Sequence, residues 1–91
     1  MTMIHVLLDE YDNNSFVTVF PNPAKEVVTV QLRLPAGAVF LQFIDASGRT
    51  VKTLPLQSSG AVLSATIDIS GLARGAYYIR AGGEVLGFVK R

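Results

Sequence analysis

The chain has 91 residues, a net charge of +1 and no cysteine, with 49% hydrophobic and 16% charged residues. That length holds one domain, and such an apolar composition excludes an intrinsically disordered chain. The near-neutral charge gives no indication of a nucleic acid or an anionic membrane as partner, and the lack of cysteine excludes disulfides, thiolate metal sites and a cysteine nucleophile.

The segment 1–15 is predicted to be a linker or an expression-derived tail. Met1–Tyr11 contains apolar residues, but it has neither the basic start nor the small-residue cleavage site of a secretory signal peptide. His5 is the single histidine and is expected to be an exposed tail residue. Asn13-Asn14-Ser15 fits the glycosylation pattern, which is frequent by chance. No apolar run reaches the roughly 18 residues of a transmembrane helix.

From residue 16 onward, apolar and polar residues alternate with a period of two, which predicts strands and no helix. The predicted strands are Phe16–Phe20, Glu26–Leu34, Ala38–Asp45, Thr50–Leu54, Leu63–Ile69, Ala76–Ala81 and Glu84–Lys90. Short strands separated by turn residues favour two small antiparallel sheets packed face to face. The segment 16–91 is therefore predicted to be one all-β domain, a β-sandwich of about seven strands.

The breaks between these segments have the residues that turns require. Asp45-Ala46-Ser47-Gly48 predicts a type I turn with Gly48 at positive φ, and Gly82-Gly83 predicts a two-residue hairpin loop. Gly71–Gly75 is predicted to be a single tight turn. Pro21-Asn22-Pro23 predicts a corner, because each proline lacks an N–H and biases the residue before it toward extended geometry. We expect this corner to send the chain across to the other sheet.

Catalytic chemistry has no visible basis in the sequence. No motif joins two carboxylates, and no glycine-rich loop forms a phosphate cradle, so we expect no enzyme activity, cofactor or metal. Asp45 is interpreted as a turn residue rather than a general base. Tyr77 and Tyr78 are either a ligand platform or, as we favour, one core residue beside one outer-face residue. The basic residues toward the end form either a binding patch or, as we favour, a solvated face: Arg74, Arg80, Lys90 and Arg91.

Several segments, in this order, resemble the C-terminal sorting domain of the type IX (Por) secretion system. The segments are Phe20–Lys25 with Val27–Val30, Phe43–Arg49, Ile67–Leu72 with Arg74–Arg80, and Phe88–Arg91. They are similar to that family's "YPNPA" opening, its hydrophobic-Asp-x-x-Gly-Arg hairpin, its "DLSGLPSGVYFVR" segment and its basic ending. The resemblance covers about Val17 to Arg91, which is most of the chain.

The resemblance implies an immunoglobulin-like antiparallel β-sandwich that acts as a signal at the C-terminus of a larger exported protein. Such proteins occur in Bacteroidetes-type bacteria. The implied partners are an outer-membrane translocon, which takes the cargo from the periplasm to the cell surface, and a cell-surface sortase, which removes the domain. Attachment of the cargo to anionic lipopolysaccharide often follows.

Matched residue by residue, the family's motifs predict a set of sorting-motif residues in this chain. They are Pro21, Asn22, Pro23, Asp45, Gly48, Gly75, Tyr77, Val89, Lys90 and Arg91. The chain departs from the family pattern at Gly87, where a lysine is usual, and at Ala73, where a proline is common. Gly75 and Tyr77 have a second interpretation, in which they serve folding alone.

The segment Gly75–Arg91 is our hypothesis for the recognised surface, with the prolines shaping a separate head of the domain. Its last strand, Glu84–Lys90, is apolar on both faces, so an edge position would offer main-chain groups and apolar side chains to a partner strand. The same edge could pair two isolated domains into a homodimer. The rival hypothesis is a fibronectin-like adhesion module that binds a carbohydrate or a protein.

Overall fold

The structure is a computed structural model that describes residues 15–91. His5 and the asparagines of the glycosylation pattern lie outside the described residues, as does the predicted tail apart from Ser15. The described residues contain strands, turns and bends, and none of them forms a helix that could span a membrane.

Strands occupy the segments that the period of two predicts, which confirms the all-β prediction. They are β1 (Phe16–Phe20), β2 (Val27–Arg33), β3 (Gly37–Asp45), β4 (Thr50–Ser58), β5 (Leu63–Asp68), β6 (Gly75–Ala81) and β7 (Glu84–Lys90). The largest difference is at β4, which was predicted to end at Leu54. Pro55 does not end this strand because β4 lies at the edge of its sheet, where a proline is tolerated.

The strands form two sheets, one of three strands in the order β1-β2-β5 and one of four in the order β4-β3-β6-β7. Every neighbouring pair is antiparallel. The prediction that the proline corner carries the chain to the other sheet was wrong, because β1 and β2 are neighbours, with Phe20 opposite Thr29. The intervening segment leaves its own sheet, touches β7 through Ala24, and returns.

The core lies between the sheets and takes alternate residues from the central strands. Its buried members are Ala24, Val28, Val30, Leu32, Leu34, Leu41, Phe43, Ile67, Ile69, Tyr77, Ile79, Ala81 and Phe88. Phe88 joins the aromatic residues of this core. Its ring stacks on Tyr77 with centroids 5.7 Å apart and meets Phe43 edge to face at 6.0 Å. Burial of such rings contributes roughly 1.5–3 kcal/mol each, so β7 is firmly held by its inner face.

The predicted turns are present. Gly48 N–H donates to the Asp45 carbonyl, and Gly48 has φ = 89°, which confirms the positive-φ prediction. Gly82-Gly83 connects β6 to β7, with Ala81 opposite Glu84. The peptide bonds before Pro21 and Pro23 are both cis.

Candidate functional site

The predicted sorting-motif residues lie at one end of the sandwich. Strand registers place Asp45 opposite Tyr77, and Gly75 opposite Lys90. Lys90 in turn forms a parallel bridge with Ala24, directly after the proline corner. The opposite end contains the Gly82-Gly83 loop and the junction of Gly37 with Ser58. Folding therefore gathers motifs that are far apart in the sequence onto one surface.

Tyr77 and Tyr78 point to opposite faces of β6, as predicted. Tyr77 is 5% exposed and its hydroxyl donates to the Ala73 carbonyl, whereas Tyr78 is 50% exposed. A tyrosine whose hydroxyl returns to the backbone a few residues upstream matches the tyrosine corner of immunoglobulin-like domains. Tyr77 thus fixes the entry into β6 from within the core.

Gly75 begins β6 in a conformation that only glycine adopts readily. Its φ is +150°, and an added Cβ would meet no atom within 4 Å, so the restriction comes from the backbone and not from crowding. The structure therefore gives Gly75 and Tyr77 clear folding roles. Their contact with a partner stays a prediction.

The outer face of the β6–β7 hairpin is apolar and exposed. Val85 is 60% exposed and Val89 is 44% exposed, and both share this face with Tyr78. Gly87 lies beside the Tyr78 ring, whose Cδ1 and Cε1 atoms would be 3.7 Å from an added Cβ. A shallow groove of about 230 Å³ runs along Tyr78, Gly87 and Val89 and reaches Asn22. With glycine at position 87, no side chain from this residue covers the Tyr78 ring, which is half exposed.

β7 is an edge strand, and its outward main-chain groups divide into two parts. In an antiparallel hairpin with Ala81 bonded to Glu84, alternate residues bond to the partner strand. The groups of Val85, Gly87 and Val89 therefore point away from β6. Within residues 15–91, Val89 has partners on this side, whereas no bond from the outward groups of Val85 or Gly87 is found.

The proline corner occupies the C-terminal part of this edge. Asn22 Oδ1 accepts a hydrogen bond from Val89 N–H at 3.0 Å. Ala24 N–H donates to the Val89 carbonyl at 2.9 Å, and Arg91 N–H donates to the Ala24 carbonyl at 2.7 Å. The hypothesis separated the proline head from the recognised tail, but the structure joins the two.

The basic residues of the C-terminal part of the chain have different environments. Lys90 is 9% exposed on the inner face of β7, whereas Arg91 and Arg74 are exposed. Arg80 lies on the outer face, where its guanidinium donates to Gln42 Oε1 at 2.9 and 3.1 Å. The four basic residues therefore do not form one continuous patch. The prediction of a solvated face holds for the exposed Arg74, Arg80 and Arg91. It was wrong for Lys90, because Lys90 faces the core side of β7.

Asp45 is held in its turn by hydrogen bonds to its carboxylate. Ser47 Oγ donates to Oδ1 at 2.6 Å, and the N–H groups of Ser47 and Arg49 donate to the same oxygen at 2.9 and 3.0 Å. The Ser47 hydroxyl, followed by the Arg49 N–H, lowers the pKa of Asp45, and the Arg49 guanidinium adds to this at 3.4 Å. Asp45 is thus an ionised turn residue.

The titratable side chains of the described residues are dispersed. Residues 15–91 bring together no group of three or more His, Cys, Asp or Glu side chains that could hold a metal ion. The concave regions at the motif end are open and shallow, and they are lined by turn and edge residues. The features that stand out are main-chain and apolar groups of the kind that a protein partner binds.

The fold and the motif end together define a small immunoglobulin-like β-sandwich with an exposed strand edge and gathered sequence motifs. The family described as "Secretion system C-terminal sorting domain" matches residues 18–91. The chain belongs to this family, the C-terminal sorting domains of type IX secretion. Comparisons with curated proteins and with solved structures give no significant match.

The role of Asn22 at the β7 edge was missed by sequence reasoning. Asn22 and Val89 are 67 positions apart, so no local pattern joins them. One indication of this role was present in the sequence: Asn22, whose side chain is an amide, lies between two prolines that have no N–H. Such a residue has few local donors for its carbonyl oxygen and is suited to a distant one.

Proposed function

We propose that residues 16–91 act as the sorting domain of a larger exported protein, carried through the outer-membrane translocon and then removed by a cell-surface sortase. Membership of the sorting-domain family supports a type IX secretion signal that brings its precursor to the cell surface. The translocon and sortase as direct partners, the cleavage step and attachment of the cargo to lipopolysaccharide are the proposed part. Residues 1–15 act in this scheme as the linker before the domain.

The recognised surface in this proposal is the β6–β7 hairpin, Gly75–Arg91. The observation that supports it is the coincidence of a half-open strand edge with exposed apolar side chains at Tyr78, Val85 and Val89. An extended partner segment can bond to the outward groups of Val85 and Gly87 while its side chains contact the apolar outer face. In the isolated domain, the same edge supports pairing of two copies.

A fusion experiment tests this proposal. A fluorescent reporter with a Sec signal peptide is joined to residues 16–91 in a type IX-competent bacterium and in a strain that lacks the translocon. We expect surface reporter only in the competent strain, at the mass of the reporter without its domain. A surface product that keeps the domain in both strains would support the adhesion-module hypothesis instead.

A second variant locates the recognised surface. Deleting β7 is unsuitable alone, because it also removes Phe88 from the core. Val85→Asp combined with Val89→Asp changes only exposed side chains, so circular dichroism should show a folded domain. We expect this variant to lose most surface delivery. Delivery equal to that of the unchanged domain would exclude the outer face of β7 as the recognised surface.

A further inference from the structure

We propose that Asn22 is a positioning residue of the sorting signal, which holds the C-terminal end of β7 where the export machinery meets it. The proposal rests on the proposed function. It adds that the Pro-Asn-Pro segment and the basic end act as one unit, joined through a side-chain oxygen. Sequence position alone would assign them to opposite ends of the domain.

Ala24 anchors the Pro-Asn-Pro segment to the core and to β7. Ala24 is 0% exposed, so its methyl group is packed in the core while its backbone bonds to both Val89 and Arg91. Pro21 and Pro23 have no N–H, so they cannot form competing donor bonds to the strand edge. The segment is therefore fixed at Ala24, and Asn22 extends from that fixed point toward β7.

The Asn22 bond joins an exposed side chain to the backbone of β7. Its carboxamide oxygen accepts from the N–H of Val89, a residue whose own side chain is 44% exposed. Since Asn22 is exposed as well, this bond contributes little to the core. Its main effect is to fix the position of the Val89 backbone at the edge of the sheet. This position in turn keeps Lys90 directed toward the core and Arg91 directed toward solvent.

The bonds to the Asn22–Ala24 segment also determine which part of the β7 edge stays without a partner. With Val89 and Arg91 occupied by the Asn22–Ala24 segment, the outward groups of Val85 and Gly87 form a short open part with a defined end. A β-ladder can slip by two residues without changing which side chains face the core, so an edge without a stop has several registers. Asn22 marks such a stop.

The test compares variants that differ in acceptor chemistry at residue 22. Asn22→Ala removes the acceptor, whereas Asn22→Asp keeps an oxygen that can accept from Val89 N–H. Ser59→Ala serves as the control, because it removes a bond of the same kind, from Ala61 N–H to Ser59 Oγ, at the opposite end of the sandwich. Each variant is carried by the full reporter fusion and is also measured as the isolated chain.

Three quantities are measured: thermal stability, hydrogen exchange of the Val89 amide, and surface delivery. For Asn22→Ala we expect Val89 exchange about 2- to 10-fold faster, as loss of one net hydrogen bond implies. We also expect a melting temperature close to that of Ser59→Ala and a several-fold loss of delivery that Ser59→Ala does not share. Asn22→Asp should restore both slow exchange and delivery.

The outcomes against the proposal are distinct. Unchanged Val89 exchange in Asn22→Ala would show that the bond does not hold the edge in solution. Faster exchange with full delivery, or an equal loss of delivery in Ser59→Ala, would show that Asn22 is only structural. If the unchanged fusion is not delivered at all, the proposed function fails, and this result is separate from any comparison between variants.

Discussion

The four-stranded sheet has two edge strands, β4 and β7, and they differ in what blocks their outward main-chain groups. β4 is nine residues long and has Pro55 near its centre. β7 has seven residues and no proline, and its C-terminal end is covered by Asn22 and Ala24. Both edges belong to one sheet, so sheet geometry does not explain the difference between them.

This difference indicates which edge is available to a partner. A proline offers no N–H to an incoming strand, and natural sheets use this to prevent edge pairing. β4 is therefore blocked within the strand. On β7, only the C-terminal end is hydrogen-bonded on its outward side: within residues 15–91 no bond from the outward groups of Val85 and Gly87 is found, although β1 of the other sheet lies close to β7. The open part coincides with the exposed apolar side chains, so the sequence protects one edge and presents the other.

The two edges should also differ in how strongly their inner faces hold them. Phe88 on β7 is 2% exposed among aromatic rings, whereas Leu54 on β4 is only partly buried. Phe88→Ala should lower the free energy of unfolding by about 3–5 kcal/mol, and Leu54→Ala by about 1–2 kcal/mol. Urea unfolding of both variants measures this. Equal losses would mean that β7 is not the better-anchored edge.

Removing the block on β4 should create a second open edge. Pro55→Val supplies the missing N–H and a residue with high β-propensity, at a position where the proline is exposed. Because one added hydrogen bond and strand contact contribute about 1 kcal/mol, self-association should strengthen about fivefold. Sedimentation over a range of protein concentrations would detect this. Unchanged association would show that Pro55 does not protect the edge.

Acid should affect the entry to β4 before it affects β7. The pKa of Asp45 is lowered in the folded domain, chiefly by the Ser47 hydroxyl. Its contribution to stability is therefore present above the unfolded-state pKa, near 4, and is lost as pH falls through the folded value. The melting temperature of the unchanged domain should exceed that of Asp45→Asn at pH 6, and this difference should shrink toward pH 3.

A constant difference across this pH range would contradict the assigned role of the Asp45 carboxylate. The size of the effect is expected to be small because the carboxylate is still partly exposed to solvent, and screening by salt weakens it further. Amide exchange at Ser47 and Arg49, compared with that at Val89, would show whether acid loosens the β3–β4 turn selectively.

Much of the fold follows from the sequence because the alternation has a period of two and the turns contain the required residues. Gly48, Gly82 and Tyr77 each act as their local sequence predicts. The length of β4 was not predictable from Pro55, since the effect of a proline depends on whether its strand is at an edge. The path of the chain after Phe20 was not predictable either, because it depends on which strand β1 pairs with. Local sequence patterns do not determine strand pairing.

The candidate site was predictable in its parts but not in its assembly. The motif residues could be named by resemblance, yet their gathering at one end depends on strand order and register. The Asn22–Val89 bond joins residues 67 positions apart and depends on both. Alternation with Tyr78 correctly predicted that Tyr77 lies in the core. Its hydrogen bond to the Ala73 carbonyl could not be predicted, because it depends on the geometry of the turn before β6.

The central claim is that the open part of β7, and not the edge of β4, is what the export machinery binds. Gly87→Pro removes an outward N–H from β7, and Thr53→Pro removes one from β4, two residues before Pro55 and on the same side of that strand. Surface delivery of a reporter fused to each variant is the direct measurement, with circular dichroism to confirm folding. We expect delivery to fall at least about tenfold for folded Gly87→Pro, equivalent to about 1.4 kcal/mol, and to stay within about twofold for Thr53→Pro. Equal delivery by the two folded variants, or a loss confined to Thr53→Pro, would contradict the claim.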